Sequence, residues 1–228
     1  MCTVSFVPLS EDKFIFTSSR DVGYKRKKAL PPELHNNVIY PVDGEAGGTW
    51  IVTSKKYTLC LLNGAFLKHD MTKTFVKSRG IVVLDAIKHE EIGDFIDHYD
   101  LEGVEPFTLI IIENGKSISE LRWDESKKHF KSFDYKTPHI WSSSTLYLPE
   151  VVDQREQWFT AWLSQNESKN ILDFHQKAGF AEKENDVVMD RGFIGTVSIT
   201  NIEAEGNHRS IKYFDLMDKQ DSTFELDF

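Results

Sequence analysis

The sequence predicts an α+β fold of antiparallel sheets covered by helices, and three observations carry that prediction. Apolar residues alternate with period two over much of the chain. Consecutive runs are joined by short hairpin-type turns. Helical patterns fall between groups of strands and do not follow each strand one for one. A doubly wound parallel sheet would need a helical crossover after every strand.

The elements follow in order. Cys2, Val4 and Phe6 alternate with Thr3, Ser5 and Val7, a strand period. Ser10-Glu11-Asp12 marks a turn, and Lys13 to Ser18 reads as the second strand of a hairpin. Residues 21–37 are polar and basic and contain Pro31-Pro32, so they read as loop. Val38 to Tyr40 gives a short strand and Gly44 to Gly48 a glycine-rich turn. Thr49 to Thr53 and Tyr57 to Leu62 form a hairpin through Ser54-Lys55-Lys56. Over residues 82–99 the period changes: Val83, Leu84, Ile87, Ile92, Phe95, Ile96 and Tyr99 keep helical spacing. Phe107 to Ile112 is the most apolar strand, paired with Ile118 to Trp123 across Asn114-Gly115. Pro149 to Leu163 is a second helix, and a shorter one is expected at 169–177. Phe193 to Ile202 and Ser210 to Leu216 close the chain as a hairpin across Ala204-Glu205-Gly206-Asn207.

The totals narrow the function. A chain of 228 residues suits one large domain, taken here as 1–228, with room for a sizeable core. A net charge of −9 argues against nucleic acid, whose binders exchange lysines and arginines for counterions. Two cysteines, Cys2 and Cys60, make no disulfide framework, and no Cys/His cluster suggests a metal. No apolar run is long enough to span a bilayer, and the N-terminus lacks the basic and apolar regions of a signal peptide. The expectation is a soluble, cytoplasmic protein without cofactor, whose oligomeric state the sequence leaves open. The sequon Asn166-Glu167-Ser168 then reads as chance.

Cys2 is the leading candidate for chemistry. Removal of Met1 would leave it with both a thiol and a free α-amine. An α-amine has a pKa of roughly 7.7–8.0 and is a competent base near neutrality. The hairpin brings a cation alongside: a three-residue turn places Arg20 across from Cys2, and a two-residue turn places Asp21 there. Arg20 could stabilise the thiolate or bind a substrate carboxylate, and Asp21 could hold the α-ammonium group. The same residues also fit a small buried side chain at a strand start beside a turn ion pair.

Met1-Cys2-Thr3-Val4-Ser5-Phe6, Ser18-Ser19-Arg20-Asp21, Gly47-Gly48-Thr49-Trp50, Leu62-Asn63, Ser78-Arg79-Gly80 and Gly195-Thr196, in that order, resemble the NRDE family. That family includes the transport-and-Golgi-organisation proteins. The resemblance implies an N-terminal-nucleophile (Ntn) hydrolase-like fold, a four-layer αββα sandwich of two antiparallel sheets. It implies kinship with penicillin V acylase and bile-salt hydrolase, which cleave non-peptide amide bonds with an N-terminal cysteine. By that analogy Cys2 is the nucleophile, Arg20 and Asp21 its neighbours, and Asn63 an oxyanion donor, a role typically worth about 10²–10³ in rate. Four positions depart from the pattern. Ser19 and Val22 flank Arg20-Asp21 where the family name describes Asn and Glu, Ser144 stands in place of an asparagine, and Val197 in place of an arginine. The partner implied is a small acyl or amide substrate. The alternative, also implied by the family, is a non-catalytic lipid- or haem-binding protein on the same scaffold.

Other features divide between structure and function. Trp50 and Thr49, after two glycines, could wall a pocket or could simply follow a turn, and Ser144 joins them as a substrate-binding candidate only through the resemblance. Tyr24-Lys25-Arg26-Lys27-Lys28 reads as a solvated loop or as a rim attracting anions. His175, on a short helix, is expected at the surface. Trp158 and Trp162, one turn apart, are expected in the core, and Cys60 as a buried thiol.

Overall fold

A computed structural model describes residues 2–68, 70, 73–166, 170–179 and 182–228. In chain order the first elements are β1 (Cys2–Pro8), β2 (Lys13–Gly23), β3 (Leu30–His35), β4 (Val38–Val42), β5 (Ile51–Ser54) and β6 (Tyr57–Asn63). Then come α1 (Arg79–Ala86), α2 (Ile92–His98), β7 (Phe107–Glu113), β8 (Ser117–Trp123), β9 (Lys128–Phe133) and β10 (His139–Ser142). The last are α3 (Pro149–Gln165), α4 (Ile171–Lys177), β11 (Ile194–Glu205), β12 (His208–Asp215) and β13 (Gln220–Asp227). Glu167, Ser168 and position 169, part of the sequon and of the expected short helix, lie outside the described residues.

The chain forms two compact units. One comprises residues 1–26 and 136–227, the other residues 27–135 with the C-terminal residue. The first unit is built on a six-stranded sheet in the order β10-β1-β2-β11-β12-β13, every neighbouring pair antiparallel. One face of it packs on α3 and α4 through Val7, Ile15, Phe159, Ile171, Phe174 and Val187. Pro149 opens α3 at its first turn, where its missing N–H costs nothing, and Leu148 before it is extended. Trp158 and Trp162 pack against this cluster as expected, half-buried.

The second unit is a seven-stranded antiparallel meander, β3 to β9 in sequence order. β7 sits in its interior, and its apolar run from Phe107 to Ile112 is buried throughout. Leu59, Leu61, Leu109, Ile111, Leu121 and Trp123 share one face and pack on Val82, Val83, Ala86 and Phe95 of the helices. Cys60 is fully buried mid-strand, as expected.

Three expectations need correction. The single helix over 82–99 is two helices. Between them the Glu90 carbonyl accepts a bond from Lys56 Nζ at 2.8 Å, and Ile92 N donates to the Tyr57 hydroxyl at 3.2 Å. The backbone there is satisfied by the neighbouring hairpin and not by the next helical turn. The loop over 21–37 contains the end of β2 and all of β3. Pro31 and Pro32 are tolerated because β3 is an edge strand, with a register shift between Leu30 and Glu33. His175 is fully buried, for reasons given below.

Candidate functional site

The β1–β2 hairpin adopts the register that pairs Cys2 with Arg20, followed by Thr3 with Ser19, Val4 with Ser18 and Ser5 with Thr17. Directly opposed residues share a face of the sheet. Val7 and Ile15 face the helices, so Ser5, Thr17, Thr3 and Ser19 do too. Arg20, Val4 and Ser18 belong to the opposite face. Arg20 is 4% exposed. The side chain of Cys2 lies outside what the structure describes; its backbone is the first residue of β1.

Asp21 falls one residue beyond Arg20 and so on the helix side. Its carboxylate is fully buried, accepting from the Thr196 hydroxyl at 2.6 Å and from the Tyr147 hydroxyl at 2.6 Å. The first of these bonds depends on an irregularity. Thr196 pairs with Asp21 and Ser198 with Arg20, with a shift in register between them. Residues two apart would ordinarily face the same way, yet their partners face opposite ways. The bulge at Val197 resolves this, aiming Thr196 at Asp21 while Ser198 joins the face of Arg20.

Three further groups complete the helix-side cluster. The Arg155 guanidinium on α3 is fully buried. It donates to the Thr3 hydroxyl and to the carbonyls of Asn185 at 3.1 Å and Asp186 at 2.6 Å. It also stacks 3.7 Å from the centre of the Tyr147 ring. His175 on α4 sits between two serines, with Nε2 2.7 Å from Ser5 Oγ and Nδ1 2.7 Å from Ser19 Oγ. Burial, reinforced by the nearby Arg155 cation, lowers the His175 pKa to about 3 and keeps the ring neutral. Burial pushes the Asp21 carboxyl up, opposed first by Arg155 and then by its two hydroxyl donors. Burial and the neighbouring Asp21 charge push the Tyr147 hydroxyl well above its ordinary value.

The other face is satisfied differently. Ser18, Ser198 and Thr200 are all buried, and none of their hydroxyls has a hydrogen-bond partner among the described residues. Ser18 pairs with Thr200, and Ser198 with Arg20, so the three hydroxyls sit beside Arg20. The Ser144 hydroxyl, in the loop after β10, is likewise buried and without a partner among these residues.

The remaining candidates lie in the other unit. Asn63 ends β6, half-buried, paired with Phe107. Thr49 and Trp50 precede β5 and are buried. The Thr49 hydroxyl lies 2.7 Å from the Pro41 carbonyl and 2.8 Å from that of Ile51, so its own loop occupies it. Gly48 is required by contact: a Cβ there would stand 2.4 Å from the Gly80 carbonyl carbon. Gly48 thus serves close packing of the turn on α1, while Gly47 supplies the turn's positive φ of 68°. Among the described residues no group of His, Cys, Asp or Glu is arranged to hold a metal. No described helix is long and apolar enough to cross a membrane.

Sequence reasoning missed Arg155, Tyr147 and His175 as members of this cluster. A charged residue inside a helix pattern was the available signal: Arg155 lies four residues before Phe159, on the side of α3 that meets the sheet.

The model of the family described as Transport and Golgi organisation 2 matches residues 1–209. The chain belongs to that family. Among solved structures, this Transport and Golgi organisation 2 family member is similar to a variant of conjugated bile acid hydrolase from Clostridium perfringens. The TM-score is 0.58 at 11% identity, covering 98% of this chain and 92% of that one. It is also similar to penicillin V acylase from Agrobacterium tumefaciens, with a TM-score of 0.56 at 8% identity, covering 100% of this chain and 86% of the other. No curated protein sequence matches it. At such identities the likeness concerns the fold. With the two antiparallel sheets it bears out the α+β, Ntn-hydrolase-like class for this member of the family.

Proposed function

We propose that this chain is an Ntn-type cysteine amidohydrolase or acyltransferase, acting on a non-peptide C–N amide or related acyl bond with Cys2 as nucleophile once Met1 is removed. The observation that carries the reading is the pairing of Cys2 with Arg20 at the start of β1, next to the buried Asp21 carboxylate. It occurs in a fold shared with proteins named as a hydrolase and an acylase. In the reaction, the Cys2 thiol gives its proton to its own α-amine, and the sulfur attacks the acyl carbon. The C–N bond breaks as that proton passes to the leaving amine, giving a thioester. Water, or an acceptor amine in acyl transfer, then releases the acyl group and restores the thiol. Arg20 favours the thiolate, and Asp21 sets the charge around the chain terminus. The roles of Asn63 and Ser144 rest on the family resemblance, and those of Thr49 and Trp50 on their place after two glycines.

The test is the intact mass of untagged protein before and after a thiol-reactive acylating probe at neutral pH. Loss of Met1 with fast labelling confined to Cys2, abolished by Arg20→Ala, is the expected result. Retained Met1, or a Cys2 no faster than a simple thiol, removes the enzyme reading. The second reading, a lipid- or haem-binding protein, is favoured by Val197. Its position is that of an arginine in the resembled pattern, and it is spent on the bulge. Calorimetry with acyl-CoA, lipids and haem tests it, and no saturable binding to any would count against it.

A further inference from the structure

Arg155 is a buried cation with no carboxylate among its hydrogen-bond partners in the described residues. Its donors go to the Thr3 hydroxyl and to the backbone carbonyls of Asn185 and Asp186. Its charge is answered through Tyr147, whose ring lies 3.7 Å from the guanidinium and whose hydroxyl donates to Asp21 at 2.6 Å. Thr3 follows Cys2 in the chain, and Asp21 follows the residue paired with Cys2. One guanidinium therefore reaches the nucleophile strand by a hydrogen bond and the carboxylate beside it by a stacked tyrosine. A group that served only to fill the space under the sheet would not need a charge there, since burying one without compensation is costly.

We propose that Arg155 is a positioning residue for the Cys2 site, fixing the start of β1 through Thr3 and holding Asp21 as a carboxylate through Tyr147. The proposal rests on Cys2 being the nucleophile, as argued above. Lysine at this position would keep the charge and lose the fork that reaches three acceptors at once, whereas methionine would lose both. The charged and titratable groups acting on Asp21 are Arg155 from α3, Tyr147 from the segment before it, Tyr24 from just beyond β2, and the chain-terminal ammonium. Arg191 stands behind the Tyr147 ring at 5.5 Å, and His175 of α4 is neutral. Of these, Arg155 is the cation whose removal acts most directly on Asp21.

The experiment uses the full chain without a tag, as wild type, Arg155→Met, Arg155→Lys and Tyr147→Phe. Two quantities are read against pH: the carbon-13 shift of the Asp21 carboxyl, and the rate of Cys2 labelling by iodoacetamide, located by mass spectrometry. In Arg155→Met and in Tyr147→Phe the Asp21 titration is expected to move up by at least about one unit. The acid limb of the labelling profile should move with it. Arg155→Lys should restore the Asp21 titration while labelling stays several-fold slow at every pH, because Thr3 is no longer held in place. If Arg155→Met does not fold, Arg155→Lys carries the test, and Cys2 labelling as fast as in the wild type then overturns the proposal, since lysine keeps the charge but cannot reach Thr3 and the two carbonyls at once. An unmoved Asp21 titration in a folded variant overturns the proposal. Moved Asp21 titration with no preferential labelling of Cys2 in the wild type overturns the nucleophile reading and leaves only the Arg155–Asp21 coupling standing.

Discussion

Acid should destabilise this protein through His175 before most carboxylates titrate. The ring is fully buried with both nitrogens engaged by serine hydroxyls, and its pKa is lowered from 6.5 to about 3. Serine hydroxyls rotate to suit a neutral ring, one donating and one accepting, but cannot supply a counter-charge to a cation. The sign follows from linkage. With the folded pKa below the unfolded one, the unfolded state binds the proton more readily. Stability is complete above about 6.5 and is lost as pH falls toward 3. From pH 7 to pH 5 the loss through this one group is about 2 kcal/mol, since each unit inside the window costs about 1.4 kcal/mol. Urea unfolding at the two pH values, on wild type and on His175→Gln, isolates it. Glutamine also offers one donor and one acceptor to the serines but does not titrate in this range. The pH 7-to-5 difference should shrink by about 2 kcal/mol in the variant. Equal differences in the two proteins, or a His175 ring that titrates near 6.5 by NMR, would refute the reasoning.

Thr200→Val should raise stability by about 1 kcal/mol, because a buried hydroxyl without a partner costs its desolvation and valine keeps the shape; a lowered urea midpoint would mean that the hydroxyl is bonded in solution. Gly48→Ala should lower stability by about 1–3 kcal/mol, since its Cβ would enter the Gly80 backbone and neither partner is a side chain that can turn away. An unchanged thermal midpoint would show that the turn shifts freely off α1.

What the sequence made legible follows burial. Every strand with neighbours on both sides was readable from alternation or from an apolar run, as in β1, β2, β6, β7 and β11. The four strands that escaped notice, β3, β9, β10 and β13, are the four sheet edges. Edge strands carry proline or charge to discourage further pairing, which erases the pattern that would betray them. β3 has Pro31-Pro32, β9 reads Lys128-His129-Phe130-Lys131, and β13 begins Gln220-Asp221-Ser222. The hairpin register was legible to within one residue because the turn length leaves two choices. The structure takes the one with Arg20 opposite Cys2. His175 was misread because a lone histidine on a short helix looks solvated. The partners that bury it, Ser5 and Ser19, lie 170 and 156 residues away along the chain.

The short motifs that marked the resemblance belong together in space, and this gives them a physical cause. Arg20-Asp21 and Gly195-Thr196 are two sides of one contact: Thr196 donates to Asp21 across 175 residues of sequence. A Cβ on Gly195 would stand 2.0 Å from the Tyr24 hydroxyl and 2.9 Å from the Met189 carbonyl oxygen, a backbone atom that cannot turn away, so glycine suits β11 there. Gly47-Gly48-Thr49 and Ser78-Arg79-Gly80 are likewise partners, Thr49 N donating to the Gly80 carbonyl at 3.1 Å. Each pair joins a polar side chain or amide to a backbone that must come close, a need that changes in neither member alone can meet. Val197 fits the same logic. Whatever side chain stands there, the extra residue in the strand is what turns Thr196 toward Asp21. The departure at Val197 therefore leaves the anchoring of Asp21 intact.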